Sequence, residues 1–141
     1  MSVPKIKFEP SVPRGAQAEI RALLAKPSEI LDGEVRVLRV TMKKDAEVDG
    51  EAFTTTWRRY HFAVIGLDPG FFTLDEDEKR LVMMHEAVHV LHDIYAREVF
   101  HVLIGLVPED LRDYVGTRLE DAEERVVDKI AMALVAQTEK R

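Results

Sequence analysis

Apolar positions along the chain sort into two periods. From about Arg14 to Ala25, Ala18, Ile20, Leu23 and Leu24 fall near helical spacing, and Pro27 is expected to stop the run. Asp32-Gly33 reads as a turn. From Glu34 to Met42 the period changes to two: Val35, Val37 and Arg39 point one way, Leu38, Val40 and Met42 the other, which predicts a strand. Asp49-Gly50 marks another turn. Phe53 to Leu67, rich in Thr, aromatic and β-branched residues, predicts a second strand ended by Asp68-Pro69-Gly70. The short connection favours an antiparallel hairpin between the two. The first ten residues hold two prolines and no clear period, as expected of an arm or a short edge strand.

The second half is helical. Thr73-Leu74-Asp75-Glu76 has the form of a capping box, in which Thr73 bonds the amide of Glu76 and Glu76 reaches back. Acidic residues crowd this first turn, favourably for the helix dipole. Leu81, Met84, Val88, Leu91 and Tyr95 then recur at helical spacing, and Gly105 is a plausible stop. Pro108 suits the first turn of a short helix. Thr117-Arg118-Leu119-Glu120 repeats the capping signature before a last amphipathic helix carrying Ala122, Val126, Ile130, Ala133 and Leu134. The order helix, strand, strand, long helix, short helix, long helix implies an α+β fold: a small antiparallel sheet with segregated helices. A single domain is expected over residues 1–141, with 1–33 as an N-terminal arm and helix and 34–141 as the core.

Composition narrows the chemistry. The chain has 141 residues, 46% apolar and 33% charged, with a formal net charge of -6, which argues against a general nucleic-acid binder. Local basic pairs stand at Lys43-Lys44 and Arg58-Arg59. There is no cysteine, so disulfides, thiolate metal sites and cysteine nucleophiles are excluded. A transition-metal site must then use His and carboxylate ligands, which suits zinc. The N-terminus lacks the apolar stretch of a signal peptide and no run reaches membrane-spanning length, so the expected location is the cytoplasm, with no membrane partner.

The segment His85-Glu86-Ala87-Val88-His89 carries the sharpest chemical signal. Side chains four apart on a helix share a face, so His85 and His89 are placed to bind one zinc ion. Glu86 projects about 100° around the axis, where it is a base for a water molecule rather than a ligand. A catalytic zinc needs a third protein ligand. His92 shares the face, but one straight helix cannot wrap three ligands around one tetrahedral ion without distortion. On the last helix, Glu124 has Asp128 four residues on, and a carboxylate there can hold a ligating histidine by its free N–H. Glu124 is the preferred third ligand, Asp128 its supporting carboxylate, and Glu123 the alternative. Read without a metal, Glu120, Glu123 and Glu124 are the acidic first turn of a solvated helix.

The run from Phe62 through Leu67-Asp68-Pro69 to the His85–His89 pentapeptide, followed by Glu124-Arg125-Val126-Val127-Asp128, resembles the gluzincin zinc metallopeptidases. It is most similar to their small minigluzincin-like members, found among prokaryotes and phages. The resemblance spans roughly residues 53–136 and implies a zincin-like core, with His85, His89 and Glu124 on Zn2+, Glu86 as general base and acid, and Asp128 behind the ligands. It implies metalloendopeptidase activity on a peptide or protein substrate, which would pair with the strand ending near Ile65 by strand addition. The long gap between His89 and Glu124 implies an extra short helix there. Tyr95, His101 and Tyr114 are candidates for stabilising an oxyanion. The metzincin pattern would need Gly and then His where His92 and Tyr95 stand, and peptide deformylases use a cysteine ligand that this chain lacks. The alternative function is a binding or phage assembly component that keeps the zincin fold with a structural or vestigial metal site.

Overall fold

The computed structural model describes residues 2–42, 52–57 and 61–139. It is an α+β protein with a four-stranded mixed sheet and three helices. The strands are β1 (Lys5–Phe8), β2 (Val37–Met42), β3 (Ala52–Trp57) and β4 (Phe62–Leu67), in spatial order β1-β2-β4-β3. The helices are α1 (Arg14–Ile30), α2 (Glu76–Gly105) and α3 (Arg112–Glu139). Short 3-10 turns at Pro69–Thr73 and Glu109–Leu111 lead into α2 and α3.

The expected hairpin between the first two long strands is not formed. β2 lies parallel to β1 on one side and to β4 on the other, with Leu38 opposite Ala63 and Val40 opposite Ile65. The segment read as one strand from Phe53 to Leu67 folds back on itself, and its halves β3 and β4 make the antiparallel pair. His61 enters β4 at φ 50°, in the left-handed region that few residues other than glycine adopt, though histidine does so more readily than most. The Asp49-Gly50 turn and both basic pairs lie outside the described residues.

Leu38, Val40, Ala63 and Ile65 point to one face, where they share a core with Ile20, Leu23 and Leu24 of α1 and Met83, Ala87, Val90 and Ile94 of α2. The first 33 residues therefore belong to this core: β1 is an edge strand, and α1 is the crossover that makes β1 and β2 parallel. Pro27 does not stop α1, which runs through it to Ile30. The proline forfeits one backbone hydrogen bond, but its ring and the following Leu31 are buried, and that burial offsets the loss. Lys79 of α2 reaches Glu19 of α1 at 2.5 Å and ties the two helices together.

α2 is buried on two faces. Met83, Ala87 and Val90 face the sheet and α1, whereas Met84 and Val88 face α3, where they meet Val127 and Ala131. The inward stripe of α3 is thus Val127, Ala131 and Leu134. Val126 and Ile130, read as core positions from the sequence, are 49% and 44% exposed, so the helix is turned by one position from that reading. No helix among the described residues is long and apolar enough to cross a membrane.

Candidate metal centre

Capping fixes where α2 begins and so which way its histidines face. Asp75 Oδ1 accepts from the Glu78 amide at 2.8 Å, and Glu78 Oε2 accepts from the Asp75 amide at 3.3 Å. The box therefore starts two residues later than Thr73-Glu76. Thr73 instead closes the preceding 3-10 turn by donating to the Gly70 carbonyl at 2.7 Å. The second expected box is also absent: Thr117 lies inside α3 and donates to the Asp113 carbonyl. The short helix expected after Pro108 is a three-residue 3-10 helix, Glu109–Leu111, and α3 starts directly after it at Arg112.

With α2 placed, His85 and His89 project toward α3 beside Met84 and Val88, and packing against Val127 and Ala131 sets Glu124 opposite them. His85 Nε2 is 3.4 Å and His89 Nε2 2.9 Å from the Glu124 carboxylate oxygens. The two rings meet edge to face with centroids 4.7 Å apart. Two ligand atoms at about 2.0–2.1 Å from a tetrahedral ion stand about 3.4 Å apart, so the trio is spaced as a ligand set. One ligand atom from each of His85, His89 and Glu124 lies within 4.8 Å of the others.

The opposite ring nitrogens are also engaged. His85 Nδ1 is 2.7 Å from Asp128 Oδ1. A proton held there fixes the tautomer that leaves Nε2 free as a ligand. His89 Nδ1 is 3.4 Å from Glu123 Oε1, giving the second histidine its own carboxylate. Glu123 thus stands behind His89 and not beside Glu124 as a rival ligand. His92 is likewise outside the trio, with its Nδ1 3.2 Å from the same Glu123 oxygen.

Glu86 is only 6% exposed. Burial pushes its carboxyl above the ordinary range, and the negative charge of Glu124 adds to the rise; a hydrogen bond from Thr54 and the nearby His89 and His85 work against it. The Thr54 hydroxyl, on β3, donates directly to Glu86 Oε2. Sequence reasoning missed this contact. Thr54 belongs to a Thr-Thr-Thr run that reads only as strand, and nothing local signals which hydroxyl meets α2.

The strand expected to receive substrate does not lie at an edge of the sheet. β4, which ends near Ile65, is flanked by β2 and β3 and has no open edge, whereas β3 is the outermost strand on that side among the described residues. Of the oxyanion candidates, Tyr95 donates to the Glu34 carboxylate and Tyr114 accepts from Arg118, both at exposed positions. His101 lines a groove further along α2.

Comparison with protein-family models, with curated proteins and with solved structures found no match. The functional reading therefore stands on the site itself.

Proposed function

We propose that the protein is a zinc-dependent metalloendopeptidase of gluzincin type with a zincin-like fold. The observation that carries this reading is the double set of contacts on the histidines: both Nε2 atoms converge on Glu124, while the Nδ1 atoms are backed by Asp128 and Glu123. His85, His89 and Glu124 would hold the ion. Two imidazoles and one carboxylate are the donor set of a catalytic zinc with a position left open, and their spacing fits. Zinc supplies Lewis acidity at the scissile carbonyl and lowers the pKa of water.

The chain's own residues do the rest. Asp128 holds His85 in the ligating tautomer and fixes the orientation of its ring. Glu86 accepts a proton from water at its carboxylate and gives it to the leaving amine. Burial raises its pKa above that of an ordinary glutamate, which favours holding the proton between the two transfers. Thr54 fixes the orientation of Glu86. An extended peptide would add to the outer edge of β3, which brings its backbone past Glu86.

The test is elemental analysis of protein purified without added zinc, followed by peptide-library cleavage by wild type, Glu86→Gln and Glu124→Ala. Wild type should carry zinc and cleave. Glu86→Gln should keep the zinc and lose turnover, and Glu124→Ala should lose both. Full cleavage by Glu86→Gln would overturn its role, and metal-free wild type would overturn the whole reading.

A second reading, a binding or assembly component that keeps the metal for structure, is favoured by one observation. The far half of α2 and its C-cap expose Val99, Val102, Leu103 and Leu106, a stripe at helical spacing. Zinc-loaded protein that cleaves no peptide and forms a stable oligomer or complex would select it.

A further inference from the structure

One turn beyond the histidine pair, α2 and α3 bring together a second group. His92 and Asp93 of α2 and Glu123 of α3 each place a ligand atom within 4.8 Å of the others. All three are half-buried; the His92 and Glu123 side chains are 21% and 18% exposed. We propose that His92, Asp93 and Glu123 form a second site for a divalent cation of the zinc class, distinct from the site of His85, His89 and Glu124.

Three observations carry it. First, two carboxylates held this close and partly out of water repel each other, and a bound cation removes that penalty. Second, His92 Nδ1 is buried and 3.2 Å from Glu123 Oε1, a ligand-to-ligand spacing, and the contact lacks hydrogen-bond geometry. The ring is braced by Phe100, with centroids 5.5 Å apart, so its orientation is set by packing. Third, the Thr56 hydroxyl is buried without a hydrogen-bond partner among the described residues, and Thr56 lines a groove of about 460 Å³ together with Asp93. Asp93, one of the three proposed ligands, is reached from that groove. One imidazole and two carboxylates suit zinc, cobalt or manganese, with water completing the coordination.

The two sites share a hinge atom. Glu123 Oε1 faces both His89 Nδ1 and His92 Nδ1, so an ion on Glu123 draws that oxygen away from His89. Loading the second site should therefore weaken the support of the first.

The experiment is equilibrium dialysis of the full chain against excess zinc, then elemental analysis, on wild type, His85→Ala/His89→Ala and His92→Gln/Asp93→Asn, with circular dichroism to confirm that each is folded. Two zinc ions per chain are expected for wild type and one for each double variant. Equal zinc in wild type and His92→Gln/Asp93→Asn would overturn the second site while leaving the first intact. A single wild-type ion that survives in His85→Ala/His89→Ala but not in the other variant would keep the second site and remove the first. Cobalt titration provides an independent reading. A second set of visible absorption bands growing in after one equivalent supports the proposal, and saturation at one equivalent, with that ion lost in His85→Ala/His89→Ala, overturns it.

Discussion

His85 Nδ1 and Asp128 Oδ1 stand 2.7 Å apart across the α2–α3 contact, so a carboxylate on one helix sets the tautomer of a histidine on another. Because Asp128 is 61% exposed, its replacement leaves no buried void, and its effect can be read as a change in the ligand alone. Asp128→Ala is expected to lower zinc affinity by about 10–100-fold with little change in fold. Competition against a chromophoric chelator measures it; unchanged affinity would separate Asp128 from the metal site.

Thr54 gives a second prediction. Its hydroxyl donates to Glu86, and a hydrogen bond to a charged group contributes about 1.5–3 kcal/mol. Thr54→Val should therefore cut peptidase turnover by roughly 10- to 100-fold while zinc stoichiometry stays at the wild-type level. Thr54→Ser, which keeps the donor, should restore most of the rate. Equal rates in the two variants would mean that packing, not the hydroxyl, matters at this position.

The raised pKa of Glu86 predicts a pH dependence of stability in metal-free protein. Below the ordinary glutamate range the carboxyl is protonated in both folded and unfolded chains and costs nothing. As pH rises, the unfolded chain loses this proton first, so unfolding is favoured through the window up to the raised folded value. Glu86→Gln removes that cost. Its melting temperature should pull ahead of wild type as pH climbs from the ordinary range, and the two should converge in acid. Melting curves in the presence of chelator test this, and a gap that does not change with pH would contradict it.

Packing between α2 and α3 makes the fourth prediction. Ala131 is fully buried against Met84 and Val88, where its small side chain lets the helices approach. Ala131→Leu overfills that contact and should cost about 1–3 kcal/mol. Because the same contact sets Glu124 opposite the histidines, zinc affinity should fall as well, although Ala131 touches no ligand. Denaturant titration and the chelator assay together check it; lost stability with full zinc affinity would show that the site is not assembled by this contact.

The helical parts were largely legible in the chain. α2 needed only its apolar period and its acidic start, and Gly105 marked its end. Its cap was displaced because Thr73-Leu74-Asp75-Glu76-Asp77-Glu78 holds two overlapping boxes, and pattern cannot tell that the first threonine is consumed by a 3-10 turn. The pairing of strands was not legible. Alternation reports which residues share a face but not which strand lies alongside, and the reversal near His61 lacks the Gly or Asn that usually announces one. Asp128 could be placed behind a histidine because i, i+4 spacing from Glu124 is a local rule. Thr54 and the double engagement of Glu123 depend on contacts between separate elements, which local rules do not reach.

Val127 and Ala131 are the only buried residues of α3 among those described, and both face α2. Three of the carboxylates around the histidines, Glu123, Glu124 and Asp128, therefore ride on a helix that buries only these two residues. An ion bridging His85, His89 and Glu124 would act as a clasp, and α3 should open locally far more often without it. Metal supply would then govern not only chemistry but the exposure of a 28-residue helix to hydrogen exchange and proteolysis, making loss of the ion a signal for turnover of the chain itself.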